Sequence, residues 1–369
     1  MDTMNITIIG AGVIGLAIAV ELADVYDNII VLDRNDHFGR ETSSRNSEVI
    51  HSGIYYPSGS LKATLCLAGT NLLFRYCEKH SVPHARLGKL IVAADAAEIS
   101  QLEQLQMNGL KNGVRDLRIV DAAEVERLQP SLRAVAALHS PATAIIDSHA
   151  LMKTLYGQAN ASGVLFSFCS DVARIEKSGE GYIVGMKADD FTYFSRVVIN
   201  AAGLNSDHVA ALAGIDIDAA GYKLDYYKGS YFSYAKKHPI RMLVYPVPHK
   251  DLAGLGIHAT LDMGNRLRFG PDAERVNEIE YSVDHVKRDA FYEGASRIIK
   301  GLDRESFLPE MAGIRPKLKG AGVRDFVIQH EKERGLQGLV NLVGIESPGL
   351  TASLAIAKRV RSLVDDILQ

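Results

Sequence analysis

The stretch NITIIGAGVIGLAIAVELADVYDNIIVLD, residues 5–33, decides the fold of this chain. A short apolar run at 5–9 is followed directly by three glycines in the spacing G-x-G-x-x-G. Small helix-forming residues come next, and a second apolar run ends at Asp33. Short apolar runs bounded by glycine are typical of buried parallel strands. The stretch therefore predicts a strand–helix–strand unit of the Rossmann type.

Each of the three glycines has a separate task in such a unit. Gly10 permits a tight turn, Gly12 lets backbone amides approach a diphosphate, and Gly15 lets the helix pack closely on the strand. The start of the helix presents free N–H groups and a partial positive charge to that diphosphate. Asp33 can accept hydrogen bonds from ribose hydroxyls. The order and spacing predict a bound dinucleotide; the alternative is a glycine-rich turn that binds nothing.

Two later segments favour a flavin dinucleotide over a nicotinamide one. The apolar strand at 196–200 runs into Ala201-Ala202-Gly203, whose small side chains can close a cofactor groove beside the first glycine turn. A turn at 344–349 leads into an amphipathic helix, with Ser347 as the expected N-cap and Pro348 as the first helical residue. The dipole of that helix would stabilise the negative charge at N1–C2=O of a reduced flavin. The sequence holds no second G-x-G-x-x-G for a separate nicotinamide; the alternative is a helix that only packs.

Composition narrows the class of protein. The 41 basic and 44 acidic side chains nearly cancel, so no global field indicates a nucleic-acid or membrane partner. No run of about 18 apolar residues predicts a membrane span, and the N-terminus lacks the pattern of a signal peptide. Three widely spaced cysteines without C-x-x-C predict reduced thiols in the cytoplasm, with neither disulfides nor a metal site. The last helix could still contact the inner face of a membrane peripherally.

The stretch SSRNSEVIHSGIYYP, residues 43–57, carries a resemblance. It is similar to the D-amino-acid-oxidase-like flavoprotein superfamily and, more narrowly, to the L-2-hydroxyglutarate dehydrogenase/oxidase family. The resemblance implies FAD and the oxidation of a small 2-hydroxy carboxylate, best matched by L-2-hydroxyglutarate, to the 2-oxo acid. We expect the FAD to be bound non-covalently. The electrons would leave to oxygen, a quinone or a carrier protein. Further similar segments lie at 59–63, 201–204, 256–260, 269–271, 313–317 and 347–353.

The sequence departs from the family pattern at two places. The family usually has Arg-Gly-Glu/Asp-Tyr where this chain has Lys228-Gly229-Ser230-Tyr231, and its turn before the last helix is more often rich in Ala and contains Asn. Lys lacks the planar fork of Arg, so recognition of the substrate carboxylate can differ here. These differences do not affect the FAD prediction, but they leave the choice of substrate open.

We expect an α/β protein with two domains. One is a discontinuous, Rossmann-like FAD-binding domain, and the other is a substrate domain built on a large antiparallel sheet that includes Tyr222 to Phe269. The predicted ranges are 1–85, 142–218 and 335–369 for the FAD-binding domain, and 86–141 and 219–334 for the substrate domain.

Two histidines are candidates for the catalytic base. Hydride removal from a carbinol carbon requires that the hydroxyl lose its proton, so a base must lie within hydrogen-bond reach, and histidine titrates near neutrality. His51 should approach the flavin ring, whereas His258 lies on a strand that would cover the flavin. We assign His258 as the base and His51 as a flavin or substrate contact. The alternatives are the swapped roles, a covalent bond from the flavin to His51, and histidines that only pack in the core.

The substrate carboxylate also has candidate partners. Pro316 holds Arg315 in an extended conformation, which suits a bidentate clamp on a carboxylate; the alternative is a surface ion pair. Tyr231 and Tyr245 could donate their hydroxyls to the same group or only pack, and Lys228 is a further candidate.

The remaining site predictions concern the cofactor. An amino-acid or secondary-amine oxidase, and a flavin-binding subunit without turnover of its own, are the competing functions. The expected cofactor contacts are Gly10, Gly12, Val13, Ile14, Gly15, Asp33, Arg34, Ser44, Arg45, Asn46, Ser47, His51, Val172, Ala201, Ala202, Gly203, Arg315, Ser347, Pro348, Gly349, Leu350 and Thr351.

Overall fold

A computed structural model describes residues 3–188, 191–248 and 256–368. Within these ranges, no helix is both long enough and apolar enough to cross a bilayer. The α-helices are α1 (Val13–Ala23), α2 (Leu61–His80), α3 (Ile99–Lys111), α4 (Ala122–Leu128), α5 (Ser148–Ala161), α6 (Ser206–Leu212), α7 (Arg288–Ser296) and α8 (Gly349–Leu368).

The strands form two large sheets and one small one. In chain order they are β1 (Thr3–Ile9), β2 (Ile29–Leu32), β3 (Val49–Ile50), β4 (His84–Ala85), β5 (Lys89–Ala93), β6 (Arg118–Asp121), β7 (Ala136–Ser140), β8 (Ala144–Ile146), β9 (Leu165–Ser167), β10 (Val172–Ser178), β11 (Gly181–Met186), β12 (Thr192–Asn200), β13 (Leu224–Tyr234), β14 (Leu243–Pro246), β15 (Ala259–Leu261), β16 (Leu267–Phe269), β17 (Glu274–Val276), β18 (Phe307–Leu318), β19 (Val327–His330) and β20 (Leu339–Val343).

The first sheet contains the predicted Rossmann unit. Its strand order is β10-β11-β12-β1-β2-β9, with β20 beside β12 and β19 beside β20. The central strand β1 pairs in parallel with β2 and with β12. Helix α1 packs between α5 and α8, and Leu16 and Ile18 of α1 share a buried core with Ile8 of β1 and Ile356 of α8. The local prediction for residues 5–33 is confirmed.

The second sheet covers the site described below. Its strand order is β17-β13-β16-β15-β14-β5-β7-β6, with β18 beside β13. Neighbouring strands run antiparallel, except that β14 and β5 are parallel. Strands β5–β7, β17 and β18 extend this sheet beyond the predicted 222–269. The predicted fold class is confirmed: an α/β protein that combines a Rossmann-type sheet with a large, mostly antiparallel one.

One strand lies on the other side of a predicted domain boundary. Val327–His330 falls within the segment assigned to the substrate domain, yet it pairs antiparallel with β20 in the first sheet. Its backbone hydrogen bonds therefore belong to the Rossmann-type sheet. We propose that the chain returns to the FAD-binding domain before Val327 and not at residue 335.

Candidate active site

A cavity of about 470 Å³ is lined by residues of both large sheets. The glycine turn, the stretch after β2 and the start of α8 line it together with residues of β13, β14 and β18. Its volume is within the range of small-molecule and cofactor sites. Segments distant in sequence thus meet around one space.

The glycine turn leaves no room for side chains. A Cβ on Gly10 would overlap the Ala201 carbonyl, and a Cβ on Gly15 would overlap the carbonyl oxygen of Gly10. Gly10 also has a φ of +109°, which side-chain-bearing residues rarely adopt. The first turn of α1 therefore reaches the cavity at Gly12 and Ile14 with its backbone exposed to a ligand. This cradle fits a diphosphate, which the free N–H groups of a helix start bind.

The end of β2 fits a ribose. The two carboxylate oxygens of Asp33 accept hydrogen bonds from the backbone N–H groups of Ala11 (2.7 Å) and Asn35 (2.8 Å). These bonds fix the carboxylate at the wall of the cavity. Arg34 beside it forms an ion pair with Glu41.

The stretch around Arg45 lies between the two large sheets. Gly313 of β18 faces the Arg45 carbonyl so closely that a Cβ there would overlap it. The Arg45 guanidinium lies 4.1 Å from the ring centroid of Tyr281, and the Ser47 and Tyr231 hydroxyls are 2.8 Å apart. The second sheet therefore holds this wall of the cavity in place.

Helix α8 begins later than predicted. Its first residue is Gly349, and the Pro348 carbonyl accepts a hydrogen bond from the Ala352 N–H. Ser347 is therefore not the N-cap and Pro348 is not the first helical residue, because the turn continues through both. The Ser347 hydroxyl instead lies 3.5 Å from Nε2 of His51. The start of α8 still lines the cavity through Pro348, Gly349 and Leu350.

Three predicted cofactor residues do not line the cavity. Gly15 packs beneath Gly10. The Ser44 hydroxyl donates to the Glu41 carbonyl (3.1 Å) and borders a smaller second cavity. Fully buried Thr351 accepts a hydrogen bond from the His51 N–H (3.0 Å), so it orients the backbone at His51, directly after β3. The remaining predicted contacts lie along the cavity wall.

Lys228 lies away from the cavity, contrary to the prediction. Side chains alternate along β13, and Gly229 and Tyr231 line the cavity. Lys228 therefore points to the opposite face of the sheet, where its Nζ lies 2.6 Å from Glu280. The resemblance alone could not show this ion pair.

The wall formed by the second sheet carries the other predicted catalytic residues. The rings of His258 and Tyr245 stack with centroids 3.5 Å apart and planes 9° apart. The Arg315 guanidinium donates to the Asp272 carbonyl (3.1 Å). A Cβ on Gly229 would lie 2.8 Å from that guanidinium, so the glycine makes room for it. Burial raises the pKa of the Tyr231 phenol, which stays protonated near neutral pH.

His51 is an electrically neutral part of the wall. Burial, with a smaller contribution from the nearby Lys89 ammonium, lowers the pKa of its imidazole to about 3. Among the described residues, nothing forms a hydrogen bond with its buried Nδ1. At neutral pH the ring is uncharged and only weakly basic.

Comparison with known proteins identifies the family. Residues 5–363 match the family described as FAD dependent oxidoreductase. The chain belongs to this family. The predictions of an enzyme and of FAD as its cofactor are confirmed. FAD supplies the two-electron acceptor of the reaction when bound, and the cradle described above fits it.

Individual relatives of this FAD-dependent oxidoreductase are similar over nearly its whole length. The mitochondrial L-2-hydroxyglutarate dehydrogenase of Arabidopsis thaliana is 38% identical, covering 97% of this chain and 83% of its own. A glycerol 3-phosphate dehydrogenase of Caloramator mitchellensis is 29% identical, covering 98% and 74%. The solved structure of L-α-glycerophosphate oxidase from Mycoplasma pneumoniae, dithionite-reduced with FAD bound, has a TM-score of 0.90 at 26% identity, covering 99% and 95%. The resemblance stated from the sequence is confirmed.

Several residues at the cavity of this FAD-dependent oxidoreductase were missed from the sequence. The Ser43 hydroxyl, and not that of Ser44, accepts from the Val13 N–H at the helix start (3.0 Å). Lys62 and Glu346 form a buried ion pair of 2.8 Å at the wall. Tyr55 lines the cavity as well. Lys62 and Tyr55 stood in segments noted for the resemblance, but nothing local marked them as site residues.

Proposed function

We propose that the enzyme oxidises the 2-hydroxy dicarboxylate L-2-hydroxyglutarate to 2-oxoglutarate. The observation that carries the proposal is that Arg315 and His258 line the same cavity as the glycine cradle. A carboxylate clamp, a proton acceptor and the cofactor site therefore share one space. The similarity to proteins named L-2-hydroxyglutarate dehydrogenase supports this choice of substrate.

Arg315 and His258 have distinct tasks in this proposal. Arg315 binds the carboxylate next to the reacting carbon through its guanidinium fork, and so fixes the orientation of the carbinol. His258 accepts the hydroxyl proton while the hydride leaves the carbon. The glycine cradle would hold FAD, which would supply the acceptor for that hydride. We prefer His258 to His51 because the pKa of His51, about 3, makes it a weak proton acceptor at neutral pH.

The tyrosines of the wall act as donors in this proposal. Burial raises the pKa of both Tyr231 and Tyr245, so both phenols stay protonated. Each can therefore donate to the substrate and neither acts as the base.

The same proposal includes how FAD is attached, which molecule accepts the electrons and where the enzyme is located. FAD is held non-covalently, and the electrons leave to oxygen, a quinone or a carrier protein. We place the enzyme in the cytoplasm, with peripheral contact to the inner face of a membrane as the alternative. Cys66, Cys77 and Cys169 are all free thiols, which agrees with a reducing compartment.

The reductive half-reaction tests the function directly. Pure holoenzyme is mixed without oxygen with L-2-hydroxyglutarate, its D-enantiomer, L-glycerol 3-phosphate or glycine, and the flavin absorbance is followed. L-2-hydroxyglutarate should bleach the longest-wavelength band fastest. Faster bleaching by glycerol 3-phosphate or glycine would replace the proposed substrate. A flavin that stays oxidised throughout would favour a subunit without turnover of its own.

A further inference from the structure

Three lysines of the described residues are buried, and one differs from the others. Lys62 pairs with Glu346 at 2.8 Å, and Lys228 pairs with Glu280 at 2.6 Å. Lys89 is 1% exposed, and within the described ranges its ammonium forms neither an ion pair nor a hydrogen bond. Burial of a charge without a partner is costly. Lys89 thus lacks the anion that the other two have.

Lys89 faces the cavity side of the second sheet. It begins β5, which pairs in parallel with β14 so that Lys89 lies beside Leu243 and Ile91 beside Tyr245. These residues share one face because side chains alternate along a strand. The Lys89 Nζ is 4.7 Å from the ring centroid of Tyr245 and 4.7 Å from that of Tyr55. Both tyrosines line the cavity. The ammonium therefore lies directly behind that wall, against the two rings.

The groups around Lys89 supply no negative charge at neutral pH. Burial raises the pKa of the Cys66 thiol to about 12 and lowers that of His51 to about 3, so both are neutral. Burial also raises the pKa of both tyrosines well above its usual range. The positive charge therefore lies against the rings of Tyr55 and Tyr245. It has no anionic partner among the described residues of β14, of α2 or of the stretch from His51 to Tyr55.

Tyr55 provides a second unsatisfied group at the same place. Its hydroxyl is buried and has no hydrogen-bond partner among the residues that the structure describes. A buried donor without an acceptor is unfavourable in the empty site and gains when an acceptor arrives. A phenol O–H beside an ammonium is complementary to an anion.

We propose that Lys89 and Tyr55 form the subsite for the second carboxylate of a dicarboxylate substrate. The proposal rests on the proposed function, in which Arg315 takes the carboxylate next to the reacting carbon. Arg315 would then bind any 2-hydroxy acid, whereas Lys89 selects those with a distal anion. Since burial lowers the pKa of Lys89 to about 7 and a bound anion raises it, binding takes up a proton above that pH.

Binding of unreactive acids tests the subsite apart from turnover. Calorimetry on the holoenzyme compares glutarate with pentanoate, a monocarboxylate with the same number of carbons. In Lys89→Met, the Kd of glutarate should rise about 10- to 100-fold, the usual loss for a charged hydrogen bond, while that of pentanoate stays the same. Lys228→Met, a buried lysine on the opposite face of the same sheet, should change neither. An equal change for both acids in Lys89→Met, or none, would overturn the subsite.

Proton uptake keeps the test open if Lys89→Met fails to fold. Wild-type holoenzyme is titrated at pH 8 in buffers of different ionisation enthalpy. Glutarate should take up a proton that pentanoate does not, and equal uptake by the two acids would refute the role of Lys89. The anaerobic panel decides the proposed function separately: a wild type that binds glutarate with proton uptake but leaves L-2-hydroxyglutarate unoxidised retains the subsite and loses the reaction.

Discussion

The glycine turn and the wall formed by the second sheet are built in opposite ways. In the turn, backbone atoms form the site, because Gly10 and Gly15 leave no space for a side chain. In the wall, side chains form it, and His258, Tyr245 and Arg315 come from different segments of the chain. A backbone-built site is contained in one short run of sequence and tolerates almost no substitution. A side-chain site can be changed one residue at a time while the fold persists.

The largest effect should come from the turn. Gly15→Ala puts a Cβ into the Gly10 carbonyl, so the strand and helix must move apart, at a cost of about 3 kcal/mol in the free energy of unfolding. We expect thermal denaturation at a lower temperature and little FAD per purified chain by absorbance. Gly157→Ala, in α5 with open space around it, is the matched control; it should raise the free energy of unfolding by about 1 kcal/mol at most and leave FAD bound. Equal behaviour of the two variants would contradict the backbone-built cradle.

Substitutions in the wall formed by the second sheet should lower the rate of flavin reduction while the fold is retained. His258→Ala should slow anaerobic flavin reduction at least about 100-fold because the hydroxyl proton loses its acceptor. His51→Ala should have a smaller effect, since that ring is a weak base. Stopped-flow absorbance with L-2-hydroxyglutarate measures both. A larger loss in His51→Ala would exchange the two roles, and an unaffected His258→Ala would favour an amine substrate.

A smaller effect should distinguish the carboxylate contact of Arg315 from that of Lys89. Arg315→Lys keeps the charge but loses the bidentate fork, so the Kd of glutarate and of pentanoate should both rise about tenfold, or about 1.4 kcal/mol. Calorimetry on the holoenzyme measures both values. A loss confined to glutarate would place Arg315 at the distal carboxylate and reverse the proposed orientation of the substrate.

The smallest effect should arise where the two regions meet. Tyr231→Phe removes the 2.8 Å hydrogen bond to Ser47 and should lower the free energy of unfolding by about 1 kcal/mol. FAD should remain bound, because the cradle is formed elsewhere. Denaturant unfolding followed by flavin fluorescence checks this, and loss of the cofactor would show that this contact supports the cradle.

The same contrast explains what could be predicted from the sequence. The unit at residues 5–33 could be predicted, because its strand, glycines, helix and acidic residue are adjacent in sequence and each has a local physical reason. The start of α8 was misplaced, because Ser347-Pro348 suits both a helix start and the turn before one. Lys228 was misassigned because the face of a strand depends on register, and β18 and β17 set that register from far away in sequence.

No sequence pattern indicated the residues whose role depends only on partners far away in the chain. Lys89 begins an ordinary apolar strand, and its lack of an anion becomes visible only when Tyr55 and Tyr245 are placed around it. The pairing of Lys62 with Glu346 joins residues 284 positions apart. Strand β19 lies within the segment predicted for the substrate domain and pairs with β20, and four residues do not reveal which neighbour they will join.

Strand β18 contains both Gly313, which packs against the backbone carbonyl of Arg45, and Arg315 two residues later. A sideways shift of this one strand would displace Arg45 and Arg315 together. An enlarged pocket for a bulkier acid, if achieved by moving β18, would thus also displace Arg45, an expected cofactor contact. Changes of substrate range that spare the cofactor are therefore expected at the proposed Lys89–Tyr55 subsite, because β18 pairs with β13 and not with β5.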